Sequence, residues 1–361
     1  MALDVSNLTS TIQAPVNFVL MRGLLSAARK TLPFFNGTLP GKLEKSQGSA
    51  SVKWRRIENL APVTTALSEH TENGPAVFGL GRSTVKPTIT DITKAIAKYG
   101  NAILTTEEVD LFNVNSKSMD LMETLGANAG ESLNGLMRVE FDNATLIRFA
   151  SGAANKSAAV AEIKVNDIKW AVNQLNRNSG QKFTSHGFGS TNVGTNPIRS
   201  SYYGICHPDV EEDIRQITGF VGVETYGGYT ETLTGEFGHI NGVRWCATEI
   251  APIETGGGTT STSGVFRGTS VDTNDLYTSY IYGKDAVGSI GLGEEHAKET
   301  YLMYDPAYPP TVELIVHKPG SSGVADLYNE IGSLAWKSWF AGKILDGRWI
   351  TKVVTLAKDL T

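Results

Sequence analysis

Residues 116–149 read SKSMDLMETLGANAGESLNGLMRVEFDNATLIRF, and their spacing decides how the rest of the chain is arranged. Met122, Gly126, Ala129, Leu133, Leu136, Ala144 and Ile147 recur at three- and four-residue steps, the signature of one apolar helix stripe. No proline interrupts the run. At 1.5 Å per residue, some thirty residues make a rod of roughly 45 Å, longer than a compact domain of this size needs. Gly126 and Gly130 each weaken such a helix by about 1 kcal/mol relative to Ala, so packing must hold it together. The stretch therefore predicts a spine helix over 116–149 with thin layers beside it. One long core helix in an ordinary enzyme is the plainer alternative.

Composition narrows the choice. The 361 residues allow about two domains, and 40% hydrophobic against 19% charged residues describe a globular chain. The 38 glycines point to turns and β structure. A net charge of −5 with no dense Lys/Arg run argues against tight, sequence-specific DNA binding, though not against enclosing DNA. Cys206 and Cys246 are the two cysteines, too few for a disulfide scaffold and in keeping with a reducing cytoplasm. The apolar run 16–28 is split by Arg22, and no run reaches membrane-spanning length.

Upstream of the spine, residues 1–41 read as an arm. Phe18, Met21, Leu24 and Leu25 form a short amphipathic segment, followed by Pro33, Gly37, Pro40 and Gly41 as breakers. Residues 42–104 read as an extended two-stranded ribbon. Ala50, Val52 and Trp54 alternate with polar residues in its first strand, and 82–99 is the second, Thr/Val/Ile-rich strand. A lone ribbon is marginal in water and must lie on another surface. Thr105–Glu108 fits a capping box, so a helix should start there.

Downstream, Asn166 is the expected cap of a helix carrying Ile168, Ala171, Val172 and Leu175. Strands follow at Tyr202–Cys206, Val243–Thr248 and Tyr277–Tyr282, with a helix begun by His207-Pro208-Asp209. These make a compact α+β unit inserted at 166–299. The strands Val312–His317, Leu334–Ile344 and Trp349–Leu356 then return as partners for the spine.

Candidate chemistry is thin. Gly37–Lys42 is a poor phosphate loop, with a proline inside it and Leu43 where a magnesium-binding hydroxyl belongs. Gly187-Phe188-Gly189 and Gly288–Gly293 lack a dinucleotide-binding context. Cys206, His207, His239 and Cys246 have no metal-ligand spacing, and both cysteines fit strand cores. Glu211, Glu212 and Asp213 read as a solvated first helical turn, and Glu294, Glu295 and His296 as surface. No catalytic, cofactor or metal residues are expected. An arm, a ribbon and a spine instead leave surface that neighbouring subunits must cover.

At this point several tracts, in order, resemble the major capsid proteins of tailed bacteriophages with the Hong Kong 97-type fold, in particular N4-like phage coat proteins. They are Ser51–Arg56 (SVKWRR), Ile96–Leu104 (IAKYGNAIL), Tyr203–Ile214 (YGICHPDVEEDI), Gly238–Glu249 (GHINGVRWCATE), Gly283–Ala286 (GKDA) and Ile331–Ile350 (IGSLAWKSWFAGKILDGRWI). The resemblance implies an α+β fold with an N-terminal arm at 1–41 and an extended loop at 42–104. A peripheral domain would combine 105–165 with 300–361, and an axial domain would span 166–299. It implies a non-enzymatic shell subunit that assembles as pentamers and hexamers around double-stranded DNA. Partners would be copies of itself, a separate scaffolding protein, a portal and decoration proteins, with no membrane. The place would be the virion, after assembly in the bacterial host cytoplasm.

For such a subunit the expected inter-subunit contacts are Trp54, Arg55 and Arg56 on the ribbon, with Asp91 and Tyr99 opposite. Arg supplies bidentate pairing and Trp supplies buried area. The plainer reading pairs these residues within their own ribbon. Two alternatives stay open: a cargo-enclosing nanocompartment shell of the same fold, and a hydrolase using dispersed carboxylates such as Glu211 and Glu294.

Overall fold

The computed structural model describes residues 32–41, 51–58, 60–62, 64, 87–108, 117–183, 200–225, 233, 235–258, 266–268, 273–290, 312–317, 328 and 330–359. The arm segment at 18–25, the ribbon's connecting loop, 187–189 and 294–296 lie outside them. In chain order the strands are β1 (Leu39–Pro40), β2 (Ser51–Ile57), β3 (Ile89–Ala95), β4 (Ala97–Thr106), β5 (Leu146–Phe149), β6 (Tyr202–Cys206), β7 (Val221–Gly222) and β8 (Glu236–Ile240). They continue with β9 (Val243–Ala247), β10 (Ile253–Glu254), β11 (Leu276–Tyr282), β12 (Val287–Ser289), β13 (Val312–His317), β14 (Ile331–Phe340), β15 (Gly342–Ile344) and β16 (Ile350–Thr355). The helices are α1 (Lys117–Asp142), α2 (Val165–Arg177) and α3 (Pro208–Arg215).

The spine is α1, 26 residues and about 39 Å long. Met122, Leu125, Ala129, Leu133, Met137 and Phe141 are its buried stripe. It stops at Asp142, short of the predicted Phe149. The N–H groups of Asn143 and Ala144 turn back to Glu140 and Phe141, and Asn143 Nδ2 covers the Val139 carbonyl. Residues 146–149 then leave as a strand, because β16 offers them a parallel partner with Thr351 opposite Leu146. Three other expectations need correction. The predicted 82–99 strand is broken at Ile96, so that β3 pairs with β2 while β4 pairs with β14. Helical backbone begins at Glu107, after Thr105 and Thr106 have finished β4. At α2, Asp167 rather than Asn166 does the capping, accepting the N–H of Lys164 and of Ser151 and pairing with Arg148.

An eight-stranded mixed sheet is the centre of the molecule. Its order is β5-β16-β11-β6-β9-β8-β7, with β10 added to β11. It draws β5 and β16 from segments assigned by sequence to the spine's domain, and β6 to β11 from the inserted one. Both faces are covered, which is why β6 reads as an unbroken buried run, Tyr202–Cys206. On one face α2 and α3 pack Ile168, Leu175, Val210 and Ile214 against Cys206, Trp245 and Ile281. On the other, α1 packs with Tyr203, Tyr280 and Tyr282.

Between α1 and that second face lies residue segment 32–41, here called the strap. Phe34 is fully buried, edge-on to Phe141 at 5.2 Å and Tyr280 at 5.8 Å. Tyr282 donates its hydroxyl to the Asn36 carbonyl at 2.6 Å. The strap ends as β1, parallel to β12, with the Gly41 N–H on the Ser289 carbonyl. A smaller sheet, β13-β14-β4, lies on α1 through Leu334, Trp336 and Phe340. Asn128 of α1 pins it by accepting from Trp336 Nε1 at 3.1 Å and Asn101 Nδ2 at 3.2 Å.

Candidate assembly surface

The ribbon β2–β3 has two chemically distinct faces because strand side chains alternate. Val52, Trp54 and Arg56 point inward, and the packing of Ile92 on the same cluster places it with them. Trp54 is buried among Val52, Ile290, Ala341 and Leu345. Arg56 donates to the Leu345 carbonyl at 2.8 Å and to Glu58 at 2.7 Å, and lies 3.3 Å from Asp346. Arg348 closes this network, 2.7 Å from Asp346 and 3.3 Å from Glu58. Burial pushes the Asp346 carboxyl up, but bonds from Arg348 outweigh it and the net shift is downward. Lys94, also on β3, pairs with Glu140 of α1.

The outward ribbon face carries Lys53, Arg55 and Ile57 opposite Thr93, Asp91 and Ile89. Arg55 binds Asp91 through Nε at 2.9 Å and Nη2 at 3.4 Å, and Lys53 reaches the same carboxylate at 2.6 Å. Hydrogen bonds from Arg55 and then Lys53 hold the Asp91 pKa down at about 2. Ile57 and Ile89, cross-strand neighbours, are 61% and 50% exposed.

The five residues singled out from the sequence do not form one surface. Trp54 and Arg56 are turned into the body, and Tyr99 lies against the core beside Phe340, ring centres 6.3 Å apart. Arg55 and Asp91 pair within the ribbon while facing outward. Sequence reasoning missed the outer face of the β13-β14-β4 sheet. There Leu104 is 72% exposed, with Ile331 and Trp339 on the same side and Lys98 over the Trp339 ring at 5.8 Å. Its signal was present in the alternation Lys98-Gly100-Ala102-Leu104, opposite in phase to Tyr99 and Ile103.

The candidate chemical groups resolve into structural roles. Gly37 turns with φ +67°, Thr38 bonds Ser289, and Leu39–Pro40 continue as β1, so 37–41 is a strand entry rather than a phosphate loop. Cys206 and Cys246 are free, buried, and raised in pKa by burial. His207 caps α3, its Nδ1 accepting the Asp209 N–H, and burial lowers its pKa. Glu211 pairs with Arg215. Asp213 is not solvated as predicted: it is buried, accepts the Lys358 N–H, and burial raises its pKa. Among the described residues no three His, Cys, Asp or Glu side chains gather as metal ligands, and no helix is long and apolar enough to cross a membrane.

No protein-family model matches the chain, and no curated protein sequence does. Solved structures do. The capsid of Ralstonia phage GP4 is similar with a TM-score of 0.59 at 9% identity, over 92% of this chain and 91% of that one. The fold is that of a bacteriophage capsid protein. The head structure of Helicobacter pylori bacteriophage KHP40 is similar at TM-score 0.56 and 11% identity, over 91% of both chains. The capsid of Cyanophage P-SCSP1u follows at 0.52 and 12%, covering 91% of this chain and 89% of that one. The capsid-protein fold thus runs nearly end to end, an α+β arrangement of spine, ribbon and sheets.

Proposed function

We propose that the chain is a major capsid protein, a non-enzymatic subunit that assembles as pentamers and hexamers into an icosahedral shell around double-stranded DNA. The observation that carries this is the end-to-end likeness of its fold to phage capsid chains. Two features support it. The ribbon and the β13-β14-β4 sheet expose apolar side chains outward (Ile57, Ile89, Leu104, Trp339), which a second copy can bury. The net charge of −5 suits a container that does not grip DNA.

In this reading the fold is of the Hong Kong 97 type and nearest in kind to N4-like phage coat proteins. Residues 1–41 are the arm, 42–104 the extended loop, 105–165 with 300–361 the peripheral domain, and 166–299 the axial domain. Arg55 and Asp91, with Ile57 and Ile89, form the ribbon face that meets a neighbour; Trp54, Arg56 and Tyr99 support it from within. A separate scaffolding protein, a portal and decoration proteins complete the virion, built in the host cytoplasm.

Coexpression of the full chain with its scaffolding candidate, followed by size-exclusion chromatography and negative-stain microscopy, tests the reading. Closed shells are expected, and a persistent monomer overturns it. Nuclease treatment of purified particles then separates a DNA container from a protein-cargo compartment.

A further inference from the structure

Two acids of α3, one turn apart, hold the helix to the strip where segment 266–268 meets residues 357–358. Asp209 takes Arg267 Nη1 at 2.7 Å, and Asp213 takes the Lys358 N–H at 3.1 Å. The strip itself is closed by the bridge between Phe266 and Lys358 and by the Arg267 N–H on the Ala357 carbonyl. The contact at Asp209 is shared with an imidazole.

His207 Nδ1 stands 3.2 Å from the Asp209 backbone nitrogen and also 3.2 Å from Asp209 Oδ2. It can serve only one of them. A bare Nδ1 accepts the N–H and caps α3. An Nδ1 that carries a proton has no lone pair for that N–H and donates to the carboxylate instead. The carboxylate is already engaged, since Oδ1 holds Arg267 and Oδ2 accepts the Tyr277 hydroxyl at 2.9 Å. Pro208 opens the helix without an N–H, so the Asp209 N–H is the first donor of α3 that needs a cap. Protonation therefore exchanges a helix cap for a third claim on one carboxylate.

We infer that His207 is an acid-sensitive latch: its neutral ring caps α3 beside the Arg267 contact, and its protonated ring gives up the cap and competes with Tyr277 and Arg267 for Asp209. The charged and titratable groups around the ring are Asp209, Arg267, Glu249 just after β9, and Tyr277 of β11, itself beside Asp275. Cys206 and Glu211 flank it along the chain. Burial, helped by the Arg267 charge, outweighs the pull of Asp209 and Glu249 and holds the His207 pKa below 6.5. With the folded value below the free one, the cap's contribution is complete above pH 6.5 and is lost as pH falls from there through the folded value. The latch stands within one chain and does not rest on the shell reading.

The test is hydrogen–deuterium exchange of the full-length chain in steps from about pH 7.5 to about pH 4.5, read by mass spectrometry and corrected for the intrinsic pH dependence of exchange. We expect protection of the first turn of α3 to fall about fivefold across that range, the size of a lost N-cap, while β11 keeps its own. In His207→Asn the side-chain carbonyl caps at every pH, so protection of that turn should not depend on pH. Arg267→Gln removes a competing cation and should move the midpoint of the loss to higher pH. An acid loss that persists in His207→Asn, or one that β11 shares, overturns the latch. So does a first turn equally protected at both ends of the range in the unaltered chain. If His207→Asn does not fold, Arg267→Gln carries the test: a midpoint that stays in place or falls overturns the competition for Asp209.

Discussion

The backbone N–H of Phe34 donates to Oδ1 of Asn134, 3.1 Å away across a separation of 100 residues. This single bond ties the strap to the middle of α1, in a place where neither group meets water. Asn134→Ala should therefore destabilise the chain by about 1–3 kcal/mol, because the Phe34 N–H is left buried and unpaired. Urea denaturation of the two proteins measures it; equal midpoints would mean that the strap does not depend on this bond.

Arg244 and Glu236 form a buried ion pair between β9 and β8, 2.6 Å apart, with the guanidinium over the Tyr203 ring. Replacing Arg244 by Met takes the cation from a carboxylate that is itself fully buried and keeps the Leu233 N–H as a donor. The expected loss is about 3–5 kcal/mol, larger than for any exposed pair in the molecule. Thermal denaturation of Arg244→Met should show it, with the double variant Arg244→Met/Glu236→Gln recovering part of the loss.

The Asp91 carboxylate should titrate with a midpoint of about 2 rather than 3.8. The folded pKa lies below the free value, so the ribbon pair stabilises above pH 3.8 and loses its contribution as pH falls toward 2. Carboxyl-carbon NMR at low salt reads the midpoint directly. Arg55→Gln should move it upward, and so should high salt, because the pair is screened at the surface.

Both thiols should be inert toward a thiol-specific reagent at pH 8 in the native protein, and both should react once it is unfolded. Burial raises each pKa, so the reactive thiolate is scarce as well as inaccessible. Rapid modification of either cysteine without denaturant would contradict the placement of β6 and β9.

Much of the fold was legible from local pattern: the alternation around Val52 and Trp54 reads as a strand, and the short apolar run Tyr202–Cys206 ahead of a proline reads as another. The end of α1 was not legible: Ala144 and Ile147 prolong the helical spacing, and only pairing with β16, two hundred residues away in sequence, turns 146–149 into a strand. The strap hid for a related reason. Pro33-Phe34-Phe35 reads locally as a break, whereas the cavity that Phe34 fills is built from Phe141 and Tyr280. Asp213 looked like a solvated turn because its cover, Lys358, comes from the far end of the chain. On the ribbon, the sequence marked the right strand but not which face each residue would take, since a two-sided ribbon with charged and aromatic residues alternating gives no sign of where the body lies.

The position of β16 in the large sheet has a consequence for biosynthesis. It lies between β5 and β11, so that β5 lacks its partner, and β11 the partner on that edge, until residues 350–355 have left the ribosome. The nascent chain meanwhile holds two open strand edges, and the pairings that close them are long in sequence separation, which slows closure. The strands from 202 to 282 pair among themselves earlier, but closure of the large sheet waits for nearly the whole chain, and until then two strand edges stay open to premature association.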